Sequence, residues 1–183
     1  MKSQNNLVVF AGHTGSGKTS ISKPFALSQG LKWTSFGNVV RFEAARLGMS
    51  TEDKRVLQTI GQKMVENEPE HFCDLVFESL GADSNSIGVL DGLRHKLILD
   101  LLLDRVGDKY LKLVYVDVDN VIRHQRLFDS RGWLKQQCEE YDADVTEIEL
   151  ISFIRPNADV IIDNSGSLSD SLAQVDIWAL NFK

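Results

Sequence analysis

The run Gly12-His13-Thr14-Gly15-Ser16-Gly17-Lys18-Thr19 is a complete GxxxxGK[ST] motif, placed directly after the apolar segment Leu7 to Ala11. Small residues at these positions let successive backbone amides converge on phosphate oxygens. A helix opening at Lys18 adds the positive end of its dipole. In such a loop Lys18 bridges the β- and γ-phosphates of a nucleoside triphosphate, so it is expected to stand unpaired until one binds. Thr19 places its hydroxyl on Mg²⁺, and Ser20 completes the set of residues expected around the triphosphate. A second segment supplies the other side of the metal. Ile87-Gly88-Val89-Leu90-Asp91 is an apolar strand ending in a carboxylate, which puts Asp91 in the Mg²⁺ shell.

These residues need a scaffold that brings two strand ends together. Short apolar runs alternate with longer amphipathic stretches, the pattern of a parallel sheet with helices on both faces. Five strands are legible, at Leu7 to Ala11, Lys32 to Phe36, Ile87 to Asp91, Leu111 to Val118 and Asp159 to Asp163. The intervening helices carry capping pairs at Ser50/Asp53, Asn67/Glu70, Thr146/Glu149 and Ser167/Asp170. Behind the caps run apolar stripes such as Leu57, Ile60 and Met64, or Leu97, Ile98, Leu101 and Leu102, at helical spacing.

Composition narrows the setting. The 183 residues suit one α/β unit, and 43% hydrophobic with 25% charged residues is globular composition. Twenty basic against 26 acidic side chains give a formal charge of -6, so no bulk attraction to nucleic acid or to an anionic membrane is expected. Any polyanion must therefore bind at a local basic site. Cys73 and Cys138 stand apart from any CxxC pair, which reads as reduced thiols and a cytoplasmic protein. The apolar start at Leu7 is too short for a signal-peptide core or a membrane span. His13 occupies a variable position of the loop, and His71, His95 and His124 share no metal-ligand spacing. Trp33 and Trp178 read as core residues.

Beyond the loop, several segments resemble the P-loop nucleoside and nucleotide kinases. Asp91-Gly92-Leu93-Arg94 is similar to the Asp-Gly-x-Pro-Arg stretch of adenylate kinases, without the proline. Thr34-Ser35-Phe36-Gly37-Asn38-Val39-Val40-Arg41 resembles the Ser-Thr-Gly-Asp-x-x-Arg segment that opens their monophosphate-binding helices, with Asn38 in place of the aspartate. The run from Asp117 to Gly132 is similar to their strand, helix and lid entry, and Asn157 to Leu168 resembles the terminal strand and loop of dephospho-coenzyme A kinases.

The resemblance implies a three-layer α/β/α sandwich with a five-stranded parallel sheet in the order 2-3-1-4-5. It implies an acceptor-binding helical region over 37–80 and a lid over 129–155, within a single domain spanning 1–183. Ser35, Gly37, Arg41 and Arg94 would bind the acceptor, the two arginines facing its phosphate. Arg126 would lie against the adenine and Arg131 would stabilise transferring charge from the lid. Arg123 and Arg155 are further phosphate candidates, and backbone groups of Asn164, Ser165 and Gly166 would read the base edge. Lys18, Arg94, Arg126 and Arg131 form the implied catalytic set, with ATP and Mg²⁺ as cofactors, a nucleotide-like small molecule as acceptor, and a monomer or homodimer as the assembly. Trp133 falls in the lid. Two other functions stay open: a hydroxyl kinase of the dephospho-coenzyme A type, and a nucleotide-dependent switch or ATPase acting on a protein partner. Dephospho-coenzyme A kinases carry acidic residues just after the second strand, where this chain has Ser35, Phe36, Gly37 and Asn38, so the base for a hydroxyl acceptor is missing unless Asp91 serves.

Overall fold

The Leu7–Ala11 run forms strand β1, buried along its whole length in the computed structural model, which describes residues 6–81 and 88–182. It lies at the centre of a sheet with β2 (Lys32–Ser35), β3 (Gly88–Leu93), β4 (Leu111–Asp117) and β5 (Val160–Asp163). The order is β2-β3-β1-β4-β5 and every pairing is parallel, as the resemblance implies. The helices follow in chain order: α1 (Lys18–Ser28), α2 (Phe36–Arg46), α3 (Lys54–Asn67), α4 (Pro69–Leu80), α5 (Lys96–Val106), α6 (Asn120–Arg131), α7 (Lys135–Asp142), α8 (Val145–Glu149) and α9 (Leu168–Ala179).

Because strand side chains alternate, β1 feeds two cores. Leu7, Val9 and Ala11 face a cluster built with α2 to α5 and with Leu150 and Ile154 of a π-helical turn (Leu150–Ile154). Val8 and Phe10 face the other layer, where Ile21 and Phe25 of α1 meet Val175 of α9. Each of the larger side chains contributes about 1.5–3 kcal/mol on burial, which is what holds the loop between β1 and α1 in place. Trp33 and Trp178 are partly buried against this second cluster.

Several boundaries differ from the sequence expectation for local reasons. The second strand stops at Ser35 instead of Phe36, because the Ser35 hydroxyl accepts the Asn38 amide at 3.0 Å and starts α2. The third strand runs on to Leu93, while Ile87 lies outside the described residues. Gly92, at a φ of 92°, is the extra residue of a bulge where β3 pairs with Phe10 and Ala11 of β1. Of the four capping pairs, Ser167 with Asp170 is found. Ser50 instead caps the turn before α3, whose own N-cap is Asp53. Asn67 ends α3, with α4 starting at Pro69, and Asp144 rather than Thr146 caps α8. Leu97 is exposed, and Leu99 takes its expected place in the core.

Candidate active site

The Gly12 to Thr19 loop leaves the C-terminal end of β1 and enters α1 at Lys18, with Gly17 in left-handed backbone as the N-cap. Gly12 has a φ of 139°, and a Cβ there would run into the Val116 carbonyl of β4. The loop can lie this close to the sheet only without a side chain at this position. Lys18 does not stand unpaired. Its Nζ donates to the carbonyls of Gly12 at 2.6 Å and His13 at 2.7 Å. A part-buried ammonium needs acceptors, and the loop's own carbonyls are the nearest ones. Burial, followed by the charge of Arg94, lowers its pKa to about 8. A bound polyphosphate would raise that value by adding anionic neighbours, so binding needs the protonated lysine. The affinity for Mg²⁺-ATP is therefore expected to be full below about pH 8 and to fall by up to about tenfold per unit above it. Titration calorimetry from about pH 7 to about pH 9.5 checks this, and a flat profile would take Lys18 away from the phosphates.

Thr19, the next residue on α1, donates its hydroxyl to Asp91 Oδ2 at 2.5 Å. The other carboxylate oxygen, Oδ1, is buried with no partner among the described residues. Burial pushes the Asp91 carboxyl up, against the pull of Lys18 and the bond from Thr19. An orphaned oxygen beside a hydroxyl suits a hard divalent cation, which would remove that penalty. Thr19 and Asp91 are thus the residues that could hold Mg²⁺, as their place in the sequence suggests.

The largest feature that the sequence did not announce is Glu147. It sits on the short helix α8 and is fully buried. One oxygen accepts Arg94 Nη1 at 2.5 Å, and the other is bonded to His13 Nδ1 of the loop. Arg94 also donates to the Tyr141 hydroxyl at 2.9 Å and to Thr14 Oγ1. Burial works against the charge of Glu147, yet His13 and Arg94 outweigh it and hold the carboxyl below its usual range. An acid in the first turn of α8 is the only sequence signal for this residue, and it marks helix starts in general. His13, a variable loop position by sequence, is what joins the loop to α8.

Beside this network lies a cavity of about 690 Å³. Arg41, Lys54, Arg55, Arg94 and Arg131 line it, against two acids, Glu140 and Asp144. Asp144 is committed to capping α8 through the Thr146 amide at 2.9 Å. The Trp133 ring forms part of the wall, packed on Tyr141 with a centroid distance of 5.2 Å. Lys54 Nζ and the Arg131 guanidinium lie 5.0 and 5.4 Å from its centroid. Gly37 lines the cavity with Arg41, whereas Ser35 is used as the α2 cap.

No family model and no curated protein matches the sequence. Solved structures do match. A shikimate kinase from Bacteroides thetaiotaomicron aligns at 14% identity over 96% of this chain and 98% of its own, with a TM-score of 0.62. A gluconokinase from Sinorhizobium meliloti 1021 aligns at 15% identity over 97% and 95%, with a TM-score of 0.58. A sugar kinase from Janibacter sp. HTCC2649 aligns at 13% identity over 95% and 94%, also at 0.58. The chain has the P-loop kinase fold.

Within the P-loop kinase fold, the remaining expected residues divide into those beside the loop and those used elsewhere. Arg126 donates to the Asn164 carbonyl at 2.9 Å and lies next to Gly17. Asn164 is buried, and its side-chain amide donates to the Ser16 carbonyl at 2.7 Å while its oxygen accepts Ser171. The polar groups of that loop therefore brace the P-loop. Ser165 accepts the Asp119 amide at 3.0 Å, and Gly166 follows it before the α9 cap. Arg123 is buried among Asp142, Asn120 and the Thr14 carbonyl, a structural clamp on the loop. Arg155 pairs with Asp117 at 2.9 Å. His95 lines the cavity, and His71 is exposed. Cys73 and Cys138 are both buried free thiols. Among the described residues no helix is long and apolar enough to cross a membrane.

Proposed function

We propose that the protein is a Mg²⁺-dependent kinase that moves the γ-phosphoryl group of ATP to a phosphate of a nucleotide-like small molecule in the cytoplasm. The observation that carries this reading is the cavity beside the P-loop, where five cationic side chains outnumber the acids. An anionic acceptor suits that charge, and Trp133 with Tyr141 supplies an aromatic wall for a planar ring. Lys18 and the loop amides hold the donor, and Thr19 with Asp91 places the metal. Arg41 and Arg94 hold the acceptor from the 37–80 side and the β3 end. Arg131 and Trp133 close from the 129–155 segment, and Arg126 flanks the donor base beside Gly17. The work of such a site is positioning and charge stabilisation, because a phosphate oxygen is already anionic and needs no base.

The gluconokinase and shikimate kinase among the structural neighbours favour a second reading, transfer to a hydroxyl of an anionic small molecule. A hydroxyl acceptor calls for a base near its proton. The start of α2 offers Ser35, Phe36, Gly37 and Asn38 there, with the serine occupied as a cap. The experiment is a panel of nucleoside mono- and diphosphates, nucleosides, dephospho-coenzyme A, shikimate and gluconate, scored for acceptor-dependent ADP formation. Turnover is expected with a monophosphate. Turnover confined to hydroxy acids or dephospho-coenzyme A supports the second reading, and a flat panel removes both.

A further inference from the structure

Arg94 is a long, flexible side chain, yet it is fixed by partners from three elements. Thr14 belongs to the P-loop, Tyr141 to α7 and Glu147 to α8. Both hydrogens of Nη1 are used by Tyr141 and Glu147, and one on Nη2 by Thr14. Nε–H and the second Nη2 hydrogen have no acceptor among the described residues, although Arg94 lines the cavity. A guanidinium held in this way keeps two donors for an incoming oxyanion and has already lost the rotamer freedom that binding would cost. The carboxylate that holds it is itself held, since His13 bonds the opposite oxygen.

We infer that Glu147 is the positioning residue that aims Arg94 at the acceptor phosphate. The inference rests on the reading of Arg94 as an acceptor ligand and adds the residue that makes it one. A glutamine in the same place would keep one acceptor for Arg94 but remove the countercharge of a largely enclosed guanidinium, which would then turn toward other acceptors. A metal role for the same cluster does not fit. His13, Asp142 and Glu147 bring ligand atoms within 4.8 Å of one another. Their carboxylates are already bonded to Arg94 and Arg123, so an added cation would meet two guanidinium groups.

The test combines kinetics with side-chain spectroscopy. In Glu147→Gln, kcat/KM for the best acceptor of the panel is expected to fall about a hundredfold, the scale of a misplaced reacting group. In an Arg94→Met background the same change should cost nothing further, and that pair leaves no uncompensated buried ion. Independent, multiplying losses would overturn the inference. Nitrogen-edited NMR of the arginine side chains reads the geometry without turnover. Arg94 of the wild type should show resolved, slowly exchanging Nη hydrogens, and Glu147→Gln should merge them. A freely rotating Arg94 in the wild type would overturn the inference even where the variant fails to fold. A wild-type protein inactive on the whole panel would remove the kinase reading, while the spectra still decide whether Glu147 orders Arg94.

Discussion

Lys18→Ala is expected to lower kcat by about a thousandfold or more and to leave the fold intact. The size follows from the charge the side chain would compensate in the proposed reaction, where one ammonium would face the negative charge that moves between the β- and γ-phosphates. The folding side follows from the ligand-free structure. A half-buried lysine whose pKa is lowered from 10.5 to about 8 opposes folding fully below pH 8, and that penalty fades as pH rises toward 10.5. Removing it at neutral pH relieves the penalty, which offsets the loss of the bonds to the Gly12 and His13 carbonyls. The melting temperature of the variant alone should therefore not fall. The stabilisation by Mg²⁺-ATP should, because about 2.7 kcal/mol is gained at a ligand concentration of about a hundred Kd only when binding survives. Steady-state turnover with thermal melts, each with and without nucleotide, reads both effects. Unchanged turnover would place the chemistry elsewhere in the molecule.

What could be read from the sequence, and what could not, divides by the range of the interaction. The loop between β1 and α1, the placement of Asp91 beside it and the five strands are legible because each is encoded by neighbours in sequence: glycine spacing, apolar runs and a helix start. The sheet order was legible only through resemblance to known kinases. Cap positions slipped wherever two capping residues compete, as Asp53 with Ser50 and Asp144 with Thr146, because the choice depends on how the incoming loop is packed. The arginines show the deeper limit. Arg41, Arg94, Arg123, Arg126, Arg131 and Arg155 look alike as residue types, and only long-range pairing tells them apart. Arg123 is clamped by Asp142 and Arg155 by Asp117, whereas Arg41, Arg94 and Arg131 line the cavity. Glu147 was invisible for the same reason, since its partners His13 and Arg94 are far away along the chain.

That difference in pairing makes Arg94 and Arg41 behave differently under the same substitution, although both are assigned to one acceptor phosphate. Loss of either charge-assisted contact should cost about 2–4 kcal/mol of transition-state binding, tens to hundreds of fold in kcat/KM for the acceptor, with little change in the KM for ATP. Their effects on stability should separate. Arg41 is exposed, and its protein bond is a long one of 3.5 Å to Asn38, so Arg41→Ala should stay within about 0.5 kcal/mol of wild type. Arg94→Ala takes from a fully buried carboxylate its permanent charge partner and leaves it only His13, and breaking such a pair costs about 3–5 kcal/mol. Arg94→Lys then distinguishes the two roles within one residue. An ammonium returns a positive charge to Glu147, so melting should recover. It offers a point charge in place of a planar fork, so acceptor binding should recover little. Denaturant melts beside kinetics with each substrate varied in turn measure both quantities. A lysine that restores acceptor kinetics together with stability would mean that the planar fork is not needed at the phosphate, and an Arg94→Ala protein with wild-type acceptor kinetics would take the phosphate away from this end of the cavity.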